Sequence, residues 1–132
     1  MRIQCSGQIV NDEDKWLYDL FELPSFAPGD LRSAIGQLAE GEELVVEINS
    51  PGGMCYSGFE IYSLLRSCGH PTVAEVQGVA ASAASTILMG CQTRRVSPVG
   101  QVMIHDPAIR AGGNAAGLRE VARYLDSVKE SI

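Results

Sequence analysis

The spacing of hydrophobic and polar positions changes several times along this chain, and each change marks an element. Residues 1–10 alternate and run into the turn-prone Asn11-Asp12-Glu13-Asp14, which predicts a first strand bent at Gly7. Residues 15–26 hold the only Trp and two of the three Phe without a clear period, which predicts an irregular or short helical arm over part of the core. Leu31, Ala34, Ile35 and Leu38 then fall at i, i+3, i+4 and i+7, with Asp30 as the expected cap and Gly41 as the stop of a helix. Leu44–Ile48 reads as a buried strand followed by the turn Asn49-Ser50-Pro51-Gly52-Gly53. A second helix follows, with Ile61, Leu64, Leu65 and Cys68 on its apolar face. After it come strand Thr72–Gln77, helix Ala81–Met89, and strands near Arg95–Ser97 and Gln101–Ile104. Gly112-Gly113-Asn114 opens a last helix, where Leu118, Val121, Leu125, Val128 and Ile132 form a narrow seam for packing on a helix of this chain or of a second subunit. Strands alternating with helices predict an α/β fold, a mostly parallel sheet flanked by helices, as a single domain over 1–132.

Composition narrows the function classes. An apolar fraction of 45% and a charged fraction of 20% fit a globular chain with a core. A net charge of −6 without a Lys/Arg cluster argues against nucleic acid as a partner. The uncharged stretch 76–93 approaches bilayer length, but its Gln, Ser, Thr and Gly positions make it a core segment rather than a membrane span. Four cysteines without a CxxC pair, and only two histidines, point to no metal and no other cofactor. With no leader pattern, the expectation is reduced thiols in the cytoplasm. No GxxxxGK[ST] run is present for ATP.

Three segments carry candidate chemistry. In Gly78-Val79-Ala80-Ala81-Ser82-Ala83-Ala84-Ser85 a strand passes into a helix of small residues, so the Ser82 hydroxyl would sit where orphan N–H groups favour negative charge. Taken alone, such a run also fits close helix packing, and Ser85 reads as a packed core serine. In Val102-Met103-Ile104-His105-Asp106-Pro107 an apolar strand delivers a histidine at its end. His70, before Pro71 in a polar turn, reads as solvated. In Asn49-Ser50-Pro51-Gly52-Gly53 paired glycines leave backbone N–H groups uncovered, as an oxyanion hole needs, although an ordinary turn has the same look.

In this order, INSPGGMCYSGFEIYSLL, GVAASAAS and VMIHDP resemble the Clp protease proteolytic subunit family over residues 44 to 132. The AASAAS form and the tail GNAAGLREVARYLDSVKESI look most like the family's phage and prophage head maturation proteases. The resemblance implies a ClpP/crotonase-like fold with a long C-terminal handle helix. It also implies a serine endopeptidase with Ser82 as nucleophile and His105 as general base. The backbone N–H groups of Gly53 and Ala83 would form the oxyanion hole, and residues 112–113 with the strand before them would bind substrate as an added strand. The implied partners are a protein or peptide substrate, further copies of the chain in a ring, and either phage capsid proteins or an ATP-dependent unfoldase.

The pattern breaks at the third triad member. The family's Asp would fall beyond Ile132, so the expectation is a domain incomplete at its C-terminus whose activity is absent or impaired. Asp106 points to the wrong face, and Asp126 would need an unusual fold-back. Rival readings are a Ser82–Lys129 dyad, a crotonase-type acyl-CoA enzyme, and a catalytically silent subunit or assembly protein.

Overall fold

The computed structural model describes residues 1–132 as β1 (Arg2–Ile9), α1 (Lys15–Leu20), β2 (Ser25–Phe26), α2 (Pro28–Ile35), β3 (Leu44–Gly53), α3 (Cys55–Ser67), β4 (Thr72–Ala81), α4 (Ala83–Gly90), β5 (Thr93–Val96), β6 (Gln101–Met103) and α5 (Ala115–Ser131). Every strand pairing is parallel, in the order β2-β1-β3-β4-β5, with β6 also on β4. β5 pairs with the first half of β4, from Val73 to Val76. β6 pairs with its second half, from Val79 to Ala81. That division of one long strand between two short ones is what brings the end of β6 to the end of β4.

Period-2 alternation decides what each sheet face carries. Cys5, Ile48 and Val76 point into a 17-residue apolar cluster with Leu31, Ile61, Leu65, Ile87 and Leu88 from the helices. One residue earlier on each strand, Gln4, Glu47 and Glu75 lie in register with Arg95 and point the other way. Arg2 Nε reaches Glu47 at 2.8 Å, and Arg95 reaches Glu75 at 3.1 Å. Exposed pairs of this kind add little stability but make that face compatible with water. The stretch 76–93 is divided between β4, α4 and the start of β5, and no helix is long and apolar enough to cross a membrane.

Several boundaries differ from the expectation. β3 runs on through Ser50-Pro51-Gly52-Gly53, because a register shift after Ile48 lets the turn residues keep pairing with β1 and β4. Asp30 caps α2 from inside its first turn, its carboxylate accepting from the Ala27 N–H at 2.8 Å. α2 ends at Ile35, six residues before Gly41, because Gln37 and Leu38 turn back onto the Ala34 and Ile35 carbonyls. The arm does not cover the core. Trp16 is 64% and Phe21 66% exposed, and α1 buries no residue, while Phe26 alone of those aromatics enters the cluster.

Candidate active site

β4 ends at Ala81 and α4 begins at Ala83, so Ser82 must turn the chain in one residue. Its φ of 54° and ψ of −123° lie where a non-glycine residue is strained, at a cost of about 1–3 kcal/mol. The surrounding bonds hold it there. The Ser82 N–H donates to the Met103 carbonyl at 2.8 Å, and the Ser82 carbonyl accepts from the Ser85 N–H at 2.9 Å and the Ser85 hydroxyl at 2.6 Å. Ser85 is therefore the packed serine, whereas the half-buried Ser82 side chain stands at the N-terminus of α4.

The glycine turn closes against this point. Gly52 has φ +103°, and a Cβ there would lie 2.7 Å from both the Ala81 carbonyl oxygen and the Ser82 Cβ, and 3.0 Å from the Ala83 nitrogen. At Gly53, φ +151°, a Cβ would lie 2.2 Å from the Ile9 carbonyl oxygen. Only glycine lets this loop approach so closely. Its anchor is Ser50, which sequence reasoning passed over. Fully buried, its hydroxyl donates to the Gly7 carbonyl at 2.6 Å and accepts from the Gly52 N–H at 3.1 Å. The signal was present in the SPGG run, but a turn serine reads as solvated until its burial is known.

His105 follows the neighbouring strand. Met103, the last residue of β6, is paired with Ala81, so the chain leaves β6 alongside the Ser82 turn and carries His105 to the cavity that Ser82 also lines. The exposed His105 ring has Nδ1 2.6 Å from the Asp106 carbonyl oxygen. Ser82, Ala83 and His105 line one cavity of about 10 Å³ together with Cys55, Phe59 and Ile104. No hydrogen bond joins the Ser82 hydroxyl to the ring, whose Nδ1 is engaged by the Asp106 carbonyl. An adjoining cavity of about 490 Å³ is walled by Phe59, Tyr62, Met89, Ile104 and Ile132. Cys55 and Phe59, at the start of α3, gave no signal in the sequence beyond helix periodicity.

Other expectations are corrected. No strand forms between Met103 and residues 112–113, since the ladder stops before Pro107 and the chain to Asn114 is irregular. His70 is half-buried rather than solvated, with Nδ1 3.2 Å from the Glu42 carbonyl oxygen. The Asp106 carboxylate turns to Lys129 Nζ at 2.9 Å, and neither it nor Asp126 bonds the His105 ring. Lys129 Nζ, the base of the rival Ser82–Lys129 dyad, is thus engaged by Asp106, whose hydrogen bond and charge push its pKa up, the reverse of what a lysine base requires. No group of three or more His, Cys, Asp or Glu side chains converges on a metal-sized site.

The ATP-dependent Clp protease proteolytic subunit of Bacteroides fragilis is 34% identical over 94 residues, covering 70% of this chain and 45% of that protein. The Porphyromonas gingivalis subunit is 35% identical over 94 residues, covering 70% and 42%. The chain thus spans less than half the length of these relatives. A ClpP1 mutant structure from Listeria monocytogenes superposes with a TM-score of 0.73 at 20% identity, covering 98% of this chain and 66% of that one, which establishes the shared ClpP-like α/β fold. The Clp protease family profile matches residues 34–132, and on that match, with the three converging motifs, the chain belongs to the Clp protease family.

Proposed function

We propose that this chain is a serine endopeptidase domain in which Ser82 is the nucleophile and His105 its general base. The observation that carries the reading is the strained Ser82 turn sharing one cavity with His105. His105 takes the Ser82 proton as Oγ attacks the scissile carbonyl carbon. The oxyanion that forms accepts from the N–H groups of Gly53 and Ala83, each donor being worth about 3 kcal/mol of barrier. His105 then gives the proton to the leaving amine, and water releases the acyl group from Ser82. Ala83 is the first residue of α4, so its N–H has no intrahelical partner. The apolar walls of the 490 Å³ cavity favour an apolar substrate side chain beside the cleaved bond.

Within the family, the phage and prophage reading rests on AASAAS and on the α5 sequence, and it assigns capsid or scaffold precursors as substrates. A ring of identical subunits, fed either by such precursors or by an ATP-driven unfoldase, completes this proposal. The four free thiols support a reducing cytoplasmic setting.

A second reading has its own support: a silent subunit that assembles without turnover. No carboxylate bridges to the His105 ring, and loss of that orienting charge typically lowers kcat by about 10⁴. Intact mass after fluorophosphonate treatment separates the two. A single adduct on the wild type that disappears in Ser82→Ala is expected. A folded wild-type chain that takes no adduct would favour the silent subunit.

A further inference from the structure

We infer that the backbone carbonyl of Asp106 is the positioning group that sets the His105 tautomer in this chain, an inference resting on the Ser82–His105 reading. A base that accepts the Ser82 proton through Nε2 must carry its own proton on Nδ1, and something must hold it there. The Nδ1 atom lies 2.6 Å from the Asp106 carbonyl oxygen. A carbonyl can only accept, so the contact requires Nδ1–H as donor, and in the neutral ring the lone pair then belongs to Nε2.

The local sequence explains why that carbonyl is available. β6 ends at Met103, and Pro107 has no N–H with which to resume the ladder, so strand pairing does not reach Asp106. No backbone N–H donates to the Asp106 carbonyl. The carboxylate of the same residue is engaged elsewhere, accepting from Lys129 Nζ at 2.9 Å. Asp106 therefore serves through its main chain while its side chain ties the loop to α5. A neutral acceptor selects the tautomer but does not balance the imidazolium charge that forms during catalysis, so this arrangement supplies only part of what a carboxylate supplies.

The test is ¹⁵N spectroscopy of the imidazoles in the intact chain, at a pH where the same spectra show both rings neutral. The two histidines are assigned with His70→Asn and His105→Asn. An exposed imidazole in water favours Nε2–H. The expected result is a His105 ring mainly in the Nδ1–H form, kept in Asp106→Ala, which retains the carbonyl and removes the carboxylate. A wild-type ring mainly in the Nε2–H form would overturn the inference. So would reversion to Nε2–H in Asp106→Ala, which would assign the role to the carboxylate. Fluorophosphonate labelling reads the Ser82 role separately, so either reading can fail while the other stands.

Discussion

Gly52 meets two demands at once, a φ that side chains avoid and a space already filled by the Ser82 turn. Gly52→Ala is expected to cost about 3 kcal/mol or more, combining backbone strain of about 1–3 kcal/mol with displacement of main-chain atoms. Gly41 is the control, with φ +74° and open space around its missing side chain, so Gly41→Ala should cost only about 1 kcal/mol. Urea midpoints of the two variants check the contrast, and equal shifts would remove the packing argument. Ser50→Ala should lower stability by about 1–3 kcal/mol, because it orphans the Gly7 carbonyl and the Gly52 N–H in a buried site. The same variant should slow Ser82 labelling if Ser50 holds the loop against that turn. Both residues lie in a run that was legible as a motif. What the motif could not convey was which atoms touch, since Ser50 and Gly52 act through contacts with residues distant in sequence.

The elements show the same division between local and distant information. α3 and the first part of β4 were readable, the helix because Ile61, Leu64, Leu65 and Cys68 repeat at its period and the strand as a mostly apolar run at 72–77, whereas the end of β4 was not, because Ala81 read as the start of a helix. The arm at 15–26 misled because aromatic residues usually mark a core, yet Trp16 and Phe21 are exposed. The juxtaposition of Ser82 with His105 depends on β6 taking over the edge of β4 from β5, a pairing that no local period encodes. α5 carries a clear seam, yet of that seam only Val128 is fully buried, and Leu118 is 44% exposed. A helix held by so few contacts opens at low cost. Hydrogen exchange should find the amides of α5 exchanging orders of magnitude faster than those of β3 and β4. Comparable protection would mean that α5 is held by contacts beyond Val128, the Tyr56–Tyr124 edge contact and the Lys129–Asp106 pair.

At the scale of the whole molecule, two features govern behaviour in solution. Val96, Val99, Val102, Ile104 and Ile109 are all about half exposed or more except Val102 at 42%, all within or next to the β5–β6 segment, and a surface of this kind favours burial against another subunit. Sedimentation of the chain is expected to give an oligomer, and a monodisperse monomer at micromolar concentration would count against the proposed ring. The second feature is the pair of buried thiols. Burial pushes Cys5 up to about 12 and Cys91 up to about 11, from ordinary values near 9. An acid whose pKa is raised by folding keeps its proton in the native state while the unfolded chain loses it. Its contribution to stability is therefore complete below pH 9 and is lost as pH rises through the folded values. Between about pH 9 and pH 11 each thiol should lower stability by up to about 1.4 kcal/mol per pH unit. Lysines and tyrosines titrate in the same window, so the measurement is a difference. Urea melts of the wild type and of the double variant Cys5→Ala, Cys91→Ala are compared across that range, and the double variant, though less stable at neutral pH, should have the flatter profile. Parallel profiles would mean that the thiols gain no protection from burial. In that case iodoacetamide on the native chain at neutral pH would reach all four cysteines, rather than Cys55 and Cys68 alone.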